Sequence, residues 1–248
     1  TDVSHVIPRN DWTTGRVYPM YKQTNINLYT SNFFVLTDQN NVYKCLYNNK
    51  GGVSTVKPAG FSTTPFTTSD GYTWKYMYTI SLGLANKFLT ASHMPVQTLS
   101  ASDGSTEQTN QLAVQNASVN GAIHVIETND VGSGYGMLNS TAVIGATSTT
   151  VQLAQGNPSS VDNHYNGDSV YIQSGTGLGQ LRRIVNYDGA SRTLTTNTGF
   201  STTPDTTSTV LISPTVNIVG DGVGALAYSL VNTNGNISNV NVIAVGSK

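Results

Sequence analysis

The sequence predicts a mainly β protein built from antiparallel sandwich-like or barrel-like units, with one short helix. Three observations support this fold class. Ser, Thr and Asn make up about a third of the 248 residues, whereas Glu occurs only at Glu107 and Glu127. Val, Ile, Thr and Tyr, which fit the pleated surface of a sheet, are frequent. Short alternating or β-branched runs recur between turns rich in Gly, Asn and Asp.

Residues 1–99 are expected to form a first β-rich domain. Its opening segment, residues 1–32, is irregular and aromatic-rich, with Pro8, Trp12, Tyr18, Pro19, Tyr21 and Tyr29. Alternating runs predict strands at residues 33–38, 42–47 and 73–80, and a further strand at 95–99. Ser81 can cap a short helix near residues 81–91, where Leu and Ala recur at a helical period.

A second, Gly-rich β domain is expected over residues 121–248, after a polar linker or exposed loop at 100–120. Its strand-like runs are residues 122–128, 141–144, 150–153, 169–173, 180–187, 192–196, 209–213, 215–219, 225–231 and 237–245. Within it, residues of about 146–213 are interpreted as an inserted β module between two Gly-rich segments. Such an insertion is tolerated because loop-closure entropy grows slowly with loop length.

Composition and charge argue against several function classes. The net charge is −1, and Arg182 and Arg183 are the nearest approach to a basic cluster. A phosphate-binding surface needs several Lys or Arg on one face, so no nucleic-acid partner is expected. No apolar run approaches the ~18 residues of a membrane-spanning helix, and no leader pattern opens the sequence, so no membrane partner or signal peptide is expected. Cys45, the single cysteine, excludes an intrachain disulfide and is expected to be a small core or half-buried apolar side chain rather than a nucleophile.

No catalytic, cofactor-binding or metal-ligating residues are predicted. The four His (His5, His93, His124 and His164) lack the spacing of zinc ligands and are expected to be structural or surface residues. Residues 162–167 partly match a calcium loop, but Gln173 replaces the bidentate Glu, so a tight polar turn is the better interpretation. Residues 175–179 lack the Lys and the following helix of a phosphate-binding loop, so a β-turn is expected. We therefore expect no enzyme, no cofactor and no small-molecule substrate.

An aromatic strand is the most conspicuous pattern in the first half. Because strand side chains alternate, residues 72–79 place one set on each face. One face carries Tyr72, Trp74, Tyr76 and Tyr78, and the other carries Thr73, Lys75, Met77 and Thr79. Tyr and Trp suit a sheet core or a subunit contact, which is the preferred interpretation, and a carbohydrate platform is the alternative.

Two stretches resemble proteins of tailed phages. The first comprises Asp2-Val-Ser-His-Val-Ile-Pro-Arg-Asn-Asp-Trp12, Tyr18-Pro-Met-Tyr21, Val42-Tyr-Lys-Cys-Leu46 and Asp70-Gly-Tyr-Thr-Trp-Lys-Tyr-Met-Tyr-Thr-Ile80. In this order, over about residues 2–99, these motifs resemble the baseplate wedge subunit of contractile-tail, myovirus-type phages. The second stretch is residues 174–184, followed by residues 187–189 and 203–208. It resembles a small β module of phage virion proteins, flanked by Gly-rich turns like those of cyanophage-like relatives of the wedge protein.

The resemblance implies a structural virion protein of the tail baseplate, made in the host cytoplasm. It implies a homodimer that acts in assembly through contacts with other baseplate wedge proteins, without catalysis. Within the first motif, Arg9 and Asp11 are expected to form a fixed polar contact. Trp12 is expected to anchor the segment on the first sheet, since Pro8 restricts the backbone beside a large aromatic side chain.

Two functions from other classes stay open. A receptor- or glycan-binding phage adhesin would suit Tyr-rich faces on a polar β surface. An enzyme such as a depolymerase would need a cleft with convergent carboxylates, and the sparse acidic and His residues make it the least favoured.

Overall fold

The computed structural model describes residues 3–27 and 30–248. Asp2 of the first phage-like motif and Tyr29 of the aromatic-rich segment lie outside the described residues. The chain divides into two compact units, unit 1 (Thr1–Val119) and unit 2 (Asn120–Lys248). The predicted mainly β class is confirmed, because the named strands pair antiparallel in sheets of both units and unit 2 contains a closed barrel.

Unit 1 combines a four-stranded sheet, in the order β2-β3-β5-β4, with the pair β1-β6. Its elements are β1 (His5–Pro8), β2 (Phe34–Leu36), β3 (Asn41–Asn48), β4 (Phe66–Thr67), β5 (Tyr72–Thr79), α1 (Leu82–Phe88), β6 (His93–Val96) and α2 (Thr106–Asn116). The strands predicted at 33–38, 42–47 and 73–80 correspond to β2, β3 and β5. The predicted helix is α1, where the Ser81 hydroxyl accepts a hydrogen bond from the Leu84 N–H at 3.3 Å. The strand predicted at 95–99 lies slightly earlier, as β6.

Two buried clusters stabilise unit 1. The aromatic cluster consists of Tyr18, Val35, Tyr43, Cys45, Tyr72, Trp74, Tyr76 and Val114. The second cluster consists of Leu36, Val42, Tyr78, Ile80 and Met94, with side chains of β1, α1 and β6 packed against it. Val35 and Leu36 are adjacent on β2 and therefore point to opposite faces, so the four-stranded sheet buries apolar side chains on both sides.

Helix α2 corrects the prediction of a featureless linker or loop at residues 100–120. Ser105 caps this helix, accepting a hydrogen bond from the Gln108 N–H at 3.4 Å. The helix docks largely through amides: the buried Gln111 side chain donates to the Gln97 carbonyl, and the Gln115 side chain donates to the Leu99 carbonyl at 2.9 Å. Because polar side chains make this contact, the helix lacks the apolar stripe by which amphipathic helices are recognised.

Unit 2 consists of a closed six-stranded barrel followed by a two-stranded ribbon. Its strands are β7 (Leu138–Ala146), β8 (Thr150–Leu153), β9 (Ser169–Ser174), β10 (Leu181–Asp188), β11 (Thr193–Thr196), β12 (Thr209–Ser213), β13 (Val223–Val231) and β14 (Ile237–Ser247). The barrel order is β10-β11-β8-β7-β12-β9, and closure leaves no open edge. Thirteen buried side chains fill its interior, among them Val151, Ile172, Leu194 and Val210.

Three features of unit 2 differ from the sequence-based expectations. The self-contained β unit begins at Leu138 rather than near residue 146, because β7 completes the barrel between β8 and β12. The strands predicted at 122–128 and 215–219 do not form. Each region makes one isolated bridge to the ribbon, Ile126 to Val240 and Thr215 to Tyr228.

The Asp188-Gly189 pair is typical of hairpin turns because it accepts positive φ, and a turn does connect β10 and β11 here, but for a different physical reason. The Asp188 carboxylate accepts hydrogen bonds from the Ala190 and Ser191 N–H groups, at 2.8 and 3.1 Å. The residue with positive φ is Arg192 (59°), not Gly189. Gly189 is required by space, since a Cβ there would lie 2.3 Å from the Ser160 carbonyl oxygen.

Candidate functional site

The aromatic strand β5 is internal structure. Tyr72, Trp74 and Tyr76 are fully buried, and Tyr78 is 7% exposed. The Tyr72 and Trp74 rings stack with centroids 5.3 Å apart, and Tyr18 meets Trp74 edge-on at 5.9 Å. The preferred interpretation as a core is confirmed for Tyr72, Trp74 and Tyr76. Tyr78 does not share their face, because a register shift after Tyr76 places it in the second cluster with Leu36 and Val42. These rings are not accessible to a sugar or to a neighbouring subunit.

The side chains of the first phage-like motif also form their contacts within unit 1. The Arg9 side chain donates to the Asp11 carboxylate at 2.8 Å and to the Thr90 carbonyl at 3.0 Å. The Trp12 N–H donates to the Leu36 carbonyl at 2.7 Å, and its indole donates to the Ser54 hydroxyl at 3.2 Å. The expected Arg9–Asp11 contact and the Trp12 anchor on the first sheet are therefore both present.

The Asp70 carboxylate, from the Asp-Gly-Tyr motif, organises the loop that receives Trp12. It accepts hydrogen bonds from the hydroxyls of Ser54 and Thr68 and from the N–H groups of Thr55, Val56 and Tyr72. Partial burial opposes ionisation, but these hydrogen bonds outweigh it and lower the pKa of Asp70 to about 2. The motif thus acts as a clamp on residues 54–56, which is a structural role.

The polar turns and histidines of the sequence lie at separate places in the fold. Asp162 accepts a hydrogen bond from the Gly189 N–H at 2.8 Å, which fits the expected polar turn at 162–167. Residues 175–179 form the turn between the antiparallel strands β9 and β10, as expected. Among the described residues, no group of three or more His, Cys, Asp or Glu could hold a metal ion. His5, His93 and His164 are exposed, and His124 is half-buried.

Cys45 lies in the aromatic cluster as a free, fully buried thiol. Burial raises the pKa of the Cys45 thiol to about 12, so at neutral pH it is protonated and a poor nucleophile. The expectation of a small core side chain is confirmed.

The C-terminal ribbon, formed by β13 and β14, leaves apolar side chains of unit 2 exposed. It rests on the barrel through stacking of Tyr228 on Tyr171, with centroids 4.5 Å apart. All eleven residues of β14 are at least partly accessible. Val223 is 72% exposed, Leu226 is 43% exposed and Val219, in the preceding segment, is 95% exposed. The ribbon therefore presents apolar side chains without a second layer over them.

A polar cavity of about 490 Å³ lies beside the barrel within unit 2. Its lining includes Tyr135, Asn157, His164 and Asp168 together with Leu138. Burial raises the pKa of the Asp168 carboxyl, and the nearby His164 opposes that rise. Sequence reasoning missed this cavity, because its residues are dispersed over more than 30 positions and converge only when the barrel closes.

The described helices include none that is long and apolar enough to cross a membrane.

Known proteins offer little guidance beyond this geometry. No protein-family model and no curated protein matches the sequence. One solved chain, from the virion of a native gene transfer agent particle, matches with 12% identity and a TM-score of 0.30. The match covers 71% of this chain and 53% of that one, so this protein spans about half the length of the matched chain. A likeness this weak carries no argument about function.

Proposed function

We propose that the protein is a non-enzymatic structural subunit of a phage virion, a tail baseplate wedge component that acts in assembly through protein–protein contacts. The phage and baseplate parts of this proposal rest on the motif resemblance in residues 2–99, which implies a homodimer and contacts with other wedge proteins. The assembly role rests on one structural observation, the apolar side chains of Val223 and Leu226 that the C-terminal ribbon leaves exposed.

The ribbon supports assembly because two paired strands are marginal in water unless another layer packs on them. Ala227, Ser229 and Val231 on β13 are buried, so one side of the ribbon is already covered. Val223 and Leu226 remain exposed. Burial of apolar surface contributes about 25 cal/mol per Å², so covering these two side chains stabilises a complex roughly in proportion to the apolar area that is buried.

The motif residues support the same role by elimination. Arg9, Asp11, Trp12 and Asp70 all bind groups within unit 1, and Cys45 is buried among aromatic rings. These side chains are engaged in structural contacts rather than held free for acid–base or nucleophilic chemistry.

The first experiment is light scattering coupled to size-exclusion chromatography at several concentrations. We expect a dimer near twice 26.3 kDa. Leu226→Glu places a charge on the ribbon and is expected to yield a monomer. Leu178→Glu is the matched control, because Leu178 is 63% exposed on a barrel turn of the same unit. A wild-type monomer at every concentration, or identical masses for the two variants, contradicts self-association through the ribbon.

The cavity at Asp168 favours the second candidate, a glycan-binding adhesin. A carboxylate, an amide, an imidazole and a tyrosine ring can together hydrogen-bond and stack on a sugar. Glycan-array binding that saturates for the wild type and is lost in Asp168→Asn would favour this function. An array with no saturable signal contradicts it.

A further inference from the structure

Lys44 on β3 and Lys75 on β5 form a cross-strand pair of like charges. They are direct register partners, and Phe34 on β2 is the partner of Lys44 on its other side. Both lysines are half-buried. Like charges placed directly opposite one another on a sheet are destabilising, so this pair needs a compensating interaction.

The described residues supply aromatic rings to this pair but no carboxylate. The Lys44 ammonium lies 3.2 Å from the centroid of the Tyr21 ring and 5.7 Å from that of Phe33. A ring face attracts a cation, yet it leaves the ammonium N–H groups without oxygen acceptors. Among the described residues, neither lysine ammonium forms a hydrogen bond or a salt bridge.

The acidic side chains in the described part of unit 1 are placed elsewhere. Asp11 contacts Arg9, and Asp38 contacts Lys57. Asp103 accepts hydrogen bonds from the Ser105 N–H and the Gln108 amide, and Asp70 is held by the loop at 54–56. Glu107 lies near Tyr76, on the face of β5 opposite Lys75.

The electrostatic consequence is visible at both lysines. Burial, followed by repulsion from Lys75, lowers the pKa of Lys44 to about 8. Burial also lowers the pKa of Lys75. The attraction of a negative group at this position would offset both the cost of burying the two ammonium groups and their mutual repulsion.

We propose that the Lys44–Lys75 pair is a docking site for an acidic segment of a partner polypeptide, whose carboxylate accepts hydrogen bonds from both ammonium groups. This inference deepens the proposed assembly role by naming the chemistry of one contact, and it is separate from the C-terminal ribbon. Charge complementarity favours a carboxylate, and the half-buried rings of Tyr21 and Phe34 suit the apolar stems of peptide side chains. Two lysines are too few for a nucleic-acid surface, which needs several phosphate contacts.

The test uses an octaglutamate peptide as the probe, with binding to the full chain measured by titration calorimetry at low ionic strength. Lys44→Gln and Lys75→Gln are each expected to weaken binding about tenfold, the effect of losing a charge-assisted hydrogen bond. Lys57→Gln is the matched control, since it removes one positive charge from another half-buried position of unit 1, where Lys57 pairs with Asp38. Binding weakened equally by all three substitutions would indicate general charge attraction and would overturn the site.

Proton uptake gives a second readout that needs no variant. Among the described residues, the titratable groups that face Lys44 are Lys75 and the Tyr21 phenol, and neither is a carboxylate. An anion raises the pKa of Lys44, so at pH 8 the complex should take up about half a proton, detected by comparing buffers of different ionisation enthalpy. Absence of uptake overturns the proposal. Inorganic phosphate serves as a second probe. If phosphate causes the same proton uptake and the peptide does not compete with it, a polypeptide partner is excluded.

Both results are independent of self-association, because the titration does not involve the ribbon. Failure of this proposal and failure of the assembly proposal can therefore be distinguished.

Discussion

Replacing Asp70 with Asn tests whether the Asp-Gly-Tyr motif clamps the loop that receives Trp12. The carboxylate accepts five hydrogen bonds, three at one oxygen and two at the other. An amide offers only one acceptor oxygen, so its NH₂ group must face donors such as the N–H groups of Thr55 and Val56 or that of Tyr72. We expect Asp70→Asn to destabilise unit 1 without changing the fold.

The magnitude follows from proton linkage. The ordinary pKa of 3.8 falls to about 2 in the folded state. Each pKa unit corresponds to 1.36 kcal/mol, and because the side chain is partly exposed, solvent screening reduces the gain to about 1–2 kcal/mol. A depressed pKa stabilises the fold above the unfolded value of 3.8. This contribution disappears as the pH falls through the folded pKa, and it should be about halved by pH 3.

The assay is urea unfolding followed by tryptophan fluorescence, at pH 7 and at pH 3. The chain has two Trp, Trp12 and Trp74, and both lie in unit 1, so the signal reports on that unit alone. Asp38→Asn is the control, because Asp38 forms an exposed ion pair with Lys57 and is expected to change stability less. If the gap between Asp70→Asn and wild type were the same at both pH values, the linkage argument would be refuted.

Three further predictions concern single residues. Trp12→Ala should lower the stability of unit 1 by about 2 kcal/mol, since a half-buried anchor is truncated, and Trp12→Phe should lower it less; an unchanged urea midpoint would contradict the anchor. Gly175→Ala should destabilise the barrel by more than about 2 kcal/mol, because φ is +73° and the new Cβ would lie 2.2 Å from the Thr207 carbonyl oxygen. Gly179→Ala, with φ +90° and no atom within 4 Å, should have about half that effect in thermal unfolding followed by circular dichroism; equal losses would refute the steric explanation. The Cys45 thiol should stay unmodified by a disulfide reagent at pH 8 in the native protein and react fully in denaturant, whereas rapid native labelling would mean that the aromatic cluster opens.

Local patterns identified β2, β3 and β5 of unit 1 because one physical rule dominates each of them. They missed β1, which lies in the segment expected to be irregular, and β4. On β5 the side chains alternate between fully buried aromatics and half-buried polar or flexible groups, and this alternation is readable from the sequence. Helix α1 was identified by its cap and its apolar spacing. In these elements local propensity and tertiary burial agree, which is the condition under which sequence reasoning succeeds.

Helix α2 shows where this reasoning fails. Its capping signal, Ser105 followed by Gln108, was present in the sequence. Its buried residues Gln111 and Val114 do not form an apolar stripe, because amide hydrogen bonds to the backbone replace part of the hydrophobic contact. The same limit applies to the barrel. Strand β12 pairs with both β7 and β9, and no local pattern specifies such distant partners.

The two candidate contact surfaces, the Lys44–Lys75 pair and the C-terminal ribbon, could not be predicted from sequence motifs. The recognisable motif residues have polar or large aromatic side chains that need specific partners, and in unit 1 the fold itself supplies those partners. Arg9 binds Asp11, Trp12 binds Ser54, and Asp70 binds the loop at residues 54–56. The phage-like motifs therefore specify a scaffold. Under the proposed assembly role, the choice of partner must depend on residues that the scaffold leaves unsatisfied. The Lys44–Lys75 pair and the exposed apolar side chains of the C-terminal ribbon are such residues. The lysines repel one another and the ribbon exposes apolar surface to water, and a second polypeptide can remove either cost.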